Sequence, residues 1–241
     1  MMHIVENVQT LYTLGPVLAH SGFATVYALP DHPTQLIRIQ EAPNRTHVSS
    51  EIHLLQTMSN AGLTPLTHAQ FVDQTHHALL SQRFEMDLEH WLDMTTPEVH
   101  QQSLWTLRVR QLLRGMAGLG IFCMDLKPAN VVIDTEENTD CLSDMKLIDF
   151  GGGLCWAGYD AVERHALYAA LLLVFNASIK HTRPNLYVGP GGPFGSCLYS
   201  LFVSAERRAS VYQILTTPLV QYYWSNLFFS VPMVPYLAHF L

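Results

Sequence analysis

The stretch that decides the fold is residues 123–130, CMDLKPAN, which continues into the apolar run Val131-Val132-Ile133. Nineteen residues after Asn130 comes Asp149-Phe150-Gly151, directly behind a second apolar segment at 145–148. The two apolar segments are predicted to be short strands on either side of a polar hairpin. One polar, carboxylate-bearing loop therefore precedes the hairpin and another follows it.

The polar residues of these two loops are the types that phosphoryl transfer needs. That reaction requires a carboxylate to orient the attacking hydroxyl and hard oxygen ligands for Mg²⁺, which neutralises charge on the phosphates. Asp125 suits the first role, Lys127 suits a partner of the γ-phosphate, and Asn130 and Asp149 suit the metal. The alternative interpretation is that the Asp and Asn side chains cap helices or close turns, and that Lys127 is a solvated surface lysine.

DLKPAN followed by DFG resembles the catalytic loop and the metal-binding loop of the protein kinase superfamily. The resemblance implies an α+β, two-lobed kinase-like fold in a single kinase-like domain. Residues 1–85 would form a small antiparallel five-stranded sheet with one helix, and residues 86–241 a mainly helical lobe, with a nucleotide cleft between them. It also implies ATP and Mg²⁺, with Asp125 and Lys127 catalytic and with Asn130 and Asp149 holding the metal.

Residues 18–27, LAHSGFATVY, are similar to the phosphate-covering loop of the same family, usually written LGxGxFGxVY. The three family glycines are replaced by Ala19, Ser21 and Ala24, and the added Cβ atoms weaken a backbone cradle for phosphates. An ordinary edge hairpin is the alternative for this segment. The resemblance assigns to the nucleotide Ala19, Ser21, Gly22, Val26, Arg38, Glu51, Gln82, Arg83 and Phe84.

Arg38 lies where the family has its strand lysine, and Glu51 lies where a helix glutamate pairs with that lysine. Arginine keeps the charge, but its planar guanidinium does not replace a compact ammonium at a phosphate. An ordinary partly exposed ion pair is the alternative for these two residues. The segment 79–88 is similar to the family's hinge, which implies that backbone groups around Gln82 to Phe84 face adenine.

The second half departs from the family pattern at two places. Cys123-Met124 stands where His-Arg is usual, and the segment between Gly151 and Asp160 is too short for a peptide-docking activation segment. Residues 205–215 resemble the last recognisable subdomain, so that the resemblance covers about residues 11–215. In its short segment after Gly151, the chain resembles the reduced kinase-like proteins that large DNA viruses encode.

Composition limits the other classes of function. There are 13 Lys and Arg against 20 Asp and Glu, a net charge of −7, and apolar residues make up 49% of the chain. This much apolar side chain excludes a disordered acidic chain, and no stretch concentrates basic residues as a nucleic-acid-binding surface would. No secretory signal is visible at the start, so we expect a cytoplasmic protein. The uncharged tail 218–241 is expected to pack on the second lobe, and a membrane anchor is its alternative.

The rest of the chain gives a coarse outline of helices and loops. Strands are predicted in residues 1–40, and a helix is predicted to begin at Ser49-Ser50-Glu51 and to end near residues 60–62. In the second half we expect a short helix around Leu88 to Leu92, a long helix from Pro97-Glu98, an apolar helix at 167–175 and a loop over 183–196.

Three functions remain open from the sequence. The first is a slow phosphotransferase resembling a serine/threonine protein kinase, acting on a protein substrate. The second is a pseudokinase, a nucleotide- or protein-binding module that keeps the fold without efficient catalysis. The third is a small-molecule kinase, which needs no peptide-docking segment. All three use ATP or its site, and the first two imply a protein partner.

Overall fold

The structure is a computed structural model. It describes residues 12–20, 24–41, 45–72, 76–94, 99–123, 125–135, 142–150, 153–155, 161–186, 192–201, 205–218, 220–221 and 225. The chain divides into two compact units, Met1–Glu85 and Met86–Leu241. The first unit contains an antiparallel sheet with a helix and the second is mainly helical, so the predicted α+β class is confirmed.

The first unit is built on a five-stranded sheet in which every neighbouring pair is antiparallel. Its strands follow the order β1-β2-β3-β5-β4, so that β2, β3 and β5 lie inside the sheet. Alternate apolar side chains of these strands pack on one face, where Ile37, Phe71, Ala78 and Leu80 form the core together with Leu29, which follows β2. The strands are β1 (Val17–His20), β2 (Ala24–Ala28), β3 (Gln35–Glu41), β4 (Thr67–Val72) and β5 (His76–Gln82).

The helix of the first unit, α1, spans Arg45–Asn60. It begins at Arg45 rather than at Ser49, so the serines predicted to open the helix lie inside it. Its end agrees with the prediction: Gly62 has a φ of 70°, its N–H donates to the Ser59 carbonyl, and the Leu63 N–H donates to the Met58 carbonyl. This is the Schellman arrangement, and the positive φ explains the glycine.

The second unit contains five helices and two small antiparallel sheets in its described part. A three-stranded sheet has the order β6-β8-β9, and β7 pairs with β10. The helices are α2 (Leu88–Met94), α3 (Val99–Gly118), α4 (Ala161–Thr182), α5 (Gly195–Leu201) and α6 (Ala205–Leu215). The strands are β6 (Met86–Asp87), β7 (Ile121–Cys123), β8 (Val131–Thr135), β9 (Leu142–Leu147) and β10 (Gly153–Cys155).

Helix α4 is the central helix of the second unit. Its residues 166–179 are all buried, and it is longer than the predicted apolar helix at 167–175 because polar residues continue it at both ends. Part of the predicted loop 183–196 is helical instead, with short 3₁₀ turns at Pro184–Leu186 and Gly192–Phe194 followed by α5. No helix in the described part of the chain is long and apolar enough to cross a membrane.

Candidate active site

The β8–β9 hairpin brings the two polar loops of the sequence to one place. Val131 of β8 pairs with Leu147 of β9, and beyond this pair the Ile148 N–H donates to the Asn130 carbonyl at 2.9 Å. Asn130, just before β8, and Asp149, just after Ile148, therefore lie at the same end of the hairpin. The sequence predicted both strands, but it carried no signal for the hydrogen bond that joins the loops.

The first loop holds the carboxylate of Asp125 by three side-chain hydrogen bonds. The Lys127 ammonium lies 2.9 Å from both carboxylate oxygens, and Asn130 Nδ2 donates to Oδ2 at 3.1 Å. Asn130 Nδ2 also donates to the Asp125 backbone carbonyl at 2.8 Å, which closes the loop on itself. A 3₁₀ turn at Pro128–Asn130 produces this geometry, since proline presets its first residue.

The three side chains of this loop differ in their access to solvent. The Asp125 and Lys127 side chains are 29% and 39% exposed, whereas Asn130 is buried at 7%. The carboxylate is consequently fixed in orientation and still reachable by a ligand. An oriented, accessible carboxylate beside an ammonium is suited to accept a proton from a hydroxyl group.

Asp149 has a strained backbone in the second loop. Its φ of 62° lies in the left-handed region, and it is the one non-glycine residue of the described chain with a positive φ. That conformation is uncommon outside glycine, although aspartate tolerates it better than most residues. Phe150 is buried at 1% while Asp149 itself is exposed, so the strained turn separates an apolar side chain from a carboxylate. Such outliers are concentrated at functional sites.

The oxygen atoms of these loops suit a magnesium ion that also binds phosphates. Asn130 uses its Nδ2 for Asp125, which leaves the amide oxygen as the atom for another partner. In the described residues no group of three or more His, Cys, Asp or Glu side chains forms a metal-binding cluster. One or two carboxylates with an amide oxygen are enough for Mg²⁺, because this ion keeps several waters and takes its other ligands from substrate phosphates. Asn130 and Asp149 fit that pattern.

In the first unit, the structure brings together Ala19, Val26 and Arg38 of the predicted nucleotide site. Val26 and Arg38 are directly paired across β2 and β3, and Arg38 is half-buried in a strand that lies between β2 and β5. Ala19 is exposed on β1 and pairs with Val26. Ser21 and Gly22 lie outside the described residues.

The remaining predicted nucleotide residues lie on α1 and after β5. Glu51 is in α1, but its side chain is outside the described set, so its pairing with Arg38 stays a prediction. The Gln82 N–H donates to Leu66 O at 2.9 Å, and the Arg83 N–H donates to Thr34 O at 2.8 Å. These two amides are therefore used inside the first unit. Phe84 is buried at 7%, and the contact of this segment with adenine stays a prediction.

Cys123 precedes the first loop at the position where the resemblance leads one to expect histidine. It is buried at 1% in β7, opposite Gly153 of β10, and burial raises the pKa of its thiol to about 12. The thiol is thus neutral at ordinary pH and is not a nucleophile. Met124 lies outside the described residues.

Comparison with known proteins finds similarity in both sequence and structure. No family model matches the chain. It is 24% identical over 158 residues to "Serine/threonine-protein kinase GE16371" of Drosophila yakuba, a match that covers 61% of this chain and 20% of that protein. The crystal structure of Rad53 1–466 in complex with AMP-PNP superposes with a TM-score of 0.53 at 19% identity, over 70% of this chain and 45% of the Rad53 chain. The chain spans less than half the length of either, and neither match bears on a resemblance to viral proteins.

Proposed function

We propose, from the protein-kinase-like fold of this chain, that it is an ATP-dependent phosphotransferase resembling a serine/threonine protein kinase. One observation carries the proposal: Asp125, held by Lys127 and Asn130, lies in a loop that is hydrogen-bonded to the segment bearing Asp149. The sequence match to a protein named a serine/threonine-protein kinase supports it, as does the structural neighbour solved with a nucleotide analogue.

Each residue of the two loops has a distinct role in the proposed reaction. Asp125 orients the attacking hydroxyl and accepts its proton as the oxygen bonds to the γ-phosphorus and the bond to the β-phosphate oxygen breaks. Lys127, which already contacts Asp125, stabilises negative charge on the transferred group. Asn130 and Asp149 would hold Mg²⁺, which neutralises charge on the phosphates.

We expect this phosphotransferase to be slow. Alanine at position 19 places a Cβ where a close backbone approach to phosphates favours glycine, and Arg38 presents a planar guanidinium instead of an ammonium. Both changes act on phosphate positioning, and a misplacement of about 1 Å costs on the order of a hundredfold in rate. The substrate would be a hydroxyl of a protein side chain, and the activity would take place in the cytoplasm, where ATP and Mg²⁺ are present.

The second candidate is a pseudokinase that binds nucleotide or a protein partner without efficient transfer. Ala24 favours it, since this replacement for a family glycine is buried at 7% in β2 and pairs with Gln40 of β3. Its backbone is therefore committed to the sheet. The two candidates differ in one measurable property, which is turnover.

The experiment separates binding from transfer with two variants and a matched control. Calorimetry with AMP-PNP, with and without Mg²⁺, is combined with transfer of labelled γ-phosphate to a mixture of generic protein substrates. We expect Asp149→Asn to lose Mg²⁺-dependent nucleotide binding, and Asp125→Asn to keep that binding while losing transfer. Asp144→Asn is the control, because this carboxylate of β9 pairs with Lys146 away from the two loops.

Three outcomes decide between the proposals. Slow transfer in the unmodified protein that disappears in Asp125→Asn supports the enzyme. Mg²⁺-dependent nucleotide binding without transfer supports the pseudokinase. Nucleotide binding that is equal in Asp149→Asn and in the unmodified protein contradicts the metal assignment on which both candidates rest.

A further inference from the structure

Helix α3 has an unusual charge for this chain. It carries Arg108, Arg110 and Arg114 but no Asp or Glu, although the whole chain has a net charge of −7. Arg110 and Arg114 are four residues apart, which places them one turn apart on the same face of the helix. Arg108 is about 200° around the helix from Arg110 and belongs to a different face.

Both arginines of this face meet at Tyr168 of α4. The Arg110 guanidinium hydrogen-bonds the Tyr168 hydroxyl, and Arg114 Cζ lies 5.3 Å from the centre of the Tyr168 ring. Tyr168 is itself buried at 4%, and Cys197 Sγ of α5 lies 3.8 Å from its hydroxyl. One rigid aromatic side chain thus positions two guanidinium groups from successive turns of a helix.

No carboxylate whose side chain the structure describes forms an ion pair with either of the two arginines. Within the described residues no ion pair involves Arg110 or Arg114, whereas Lys127, Lys146 and Arg183 each lie next to an aspartate. In addition, Arg110 Nε is shielded from solvent and has no hydrogen-bond partner. Shielded donors without an acceptor are rare in folded proteins, and a bound anion or a water molecule would satisfy this one.

We propose that Arg110, Arg114 and Tyr168 form a binding site for a phosphate monoester, on α3 and α4 and outside the candidate active site. Two guanidinium groups supply two positive charges and several parallel N–H donors, which match a doubly charged tetrahedral oxyanion better than a singly charged carboxylate. The Tyr168 hydroxyl accepts a hydrogen bond from Arg110, so its own hydrogen is available to the thiol of Cys197 or to the anion.

The site is open enough to receive such a group. Arg114 is exposed, and Arg110 and Cys197 are half-buried, so that the guanidinium groups are partly desolvated and still accessible. Partial desolvation strengthens a charge-assisted hydrogen bond relative to one in water. The ligand is either free phosphate or a phosphorylated side chain, which share this chemistry. The proposal does not depend on nucleotide binding or on transfer by the candidate active site.

Thermal unfolding of the full chain tests the site without nucleotide or Mg²⁺. Unfolding is compared in potassium phosphate and in potassium chloride at equal ionic strength. At a phosphate concentration of about ten times Kd we expect Tm to rise by about 3–6 °C for a chain of this size. We expect the rise to disappear in the Arg110→Gln/Arg114→Gln double variant and to persist in Arg108→Gln, which removes the same charge from another face of the same helix.

Two further variants keep the result interpretable. Arg114→Gln alone changes an exposed residue, so it tests the site even where the double variant folds poorly; we expect phosphate to bind it at least about tenfold more weakly. Lys127→Gln identifies phosphate bound in the candidate active site, and we expect it to retain the full rise. An equal rise in all variants, a rise lost only in Lys127→Gln, or no rise in the unmodified protein overturns the proposal.

Small phosphate monoesters distinguish the source of the anion. N-acetyl-phosphoserine amide, inorganic phosphate and N-acetyl-glutamate amide are compared at the same concentration. Stabilisation by the phosphoserine derivative at least equal to that by inorganic phosphate supports a phosphorylated side chain, and stabilisation by inorganic phosphate alone supports the free ion. Equal stabilisation by the glutamate derivative contradicts a site for phosphate.

Discussion

The side-chain amide of Asn130 is the most informative single group to remove. Its Nδ2 donates to the Asp125 carbonyl at 2.8 Å and to the Asp125 carboxylate at 3.1 Å, and the residue is 7% exposed. Asn130→Ala deletes both hydrogen bonds and leaves the Asp125 carbonyl without this donor. The variant therefore tests whether the loop is held in shape by its own side chains.

The expected size of the effect follows from these two contacts. A hydrogen bond to a neutral carbonyl contributes about 0.5–1.5 kcal/mol, and one to a carboxylate about 1.5–3 kcal/mol. Because Lys127 continues to hold the carboxylate at 2.9 Å, we expect the lower part of the combined range, about 2 kcal/mol of destabilisation. For a protein of this length that corresponds to a decrease in Tm of about 4–8 °C.

Asn130→Asp distinguishes the proposed metal-binding role of residue 130 from its hydrogen-bonding role. The new carboxylate would face that of Asp125 across a contact that measures 3.1 Å in the unmodified protein, and like charges so close repel. We expect a loss of stability in EDTA and a partial recovery in millimolar Mg²⁺, since the ion binds between carboxylates. Asn130→Ala has lost the oxygen ligand, so Mg²⁺ should not stabilise it.

The assay is thermal unfolding followed by circular dichroism, in EDTA and in Mg²⁺, with both substitutions. Asn60→Ala and Asn60→Asp are the controls, because Asn60 is exposed at the end of α1. The reasoning is refuted if Asn130→Ala unfolds at the temperature of the unmodified protein. It is also refuted if Mg²⁺ stabilises Asn130→Ala as much as Asn130→Asp.

Three further predictions concern other parts of the chain. Gly15→Ala brings a Cβ to 3.0 Å from the Ala28 carbonyl oxygen, so urea unfolding should show a loss of about 1–3 kcal/mol, and an unchanged midpoint would contradict the crowding. The hydrogen bond from Arg183 lowers the pKa of the Asp93 carboxyl below its unfolded value of 3.8. The ionised carboxylate therefore stabilises the folded protein above pH 3.8, and this stability is lost as the pH falls through the lower folded pKa. Asp93→Asn should abolish that part of the acid dependence of Tm. The buried Cys123 thiol, with its pKa raised to about 12, should resist iodoacetamide at pH 8 in native protein and react in denaturant, as mass spectrometry of the labelled peptide will show.

Local patterns in the sequence were sufficient for the parts of the fold that short-range physics controls. The strands of the β8–β9 hairpin follow from two apolar runs around a polar segment, and the end of α1 follows from Gly62, which adopts the φ that other residues avoid. The start of α1 was predicted wrongly, because serine is compatible with both a cap and the first turns of a helix. The spacing of the two motifs also predicted that Asp125, Asn130 and Asp149 lie in the loops on either side of this hairpin.

Tertiary structure alone decided which of these residues meet and in what state. The Asn130–Ile148 hydrogen bond, the positive φ of Asp149 and the bidentate pairing of Arg183 with Asp93, 90 residues apart, have no local signature. The contacts that α3 and α5 make with Tyr168 likewise have no local signature in the sequence. A sequence pattern reports the preferences of a residue within a turn or a strand, whereas distances between distant segments are determined by packing of the whole unit, which balances many contacts at once.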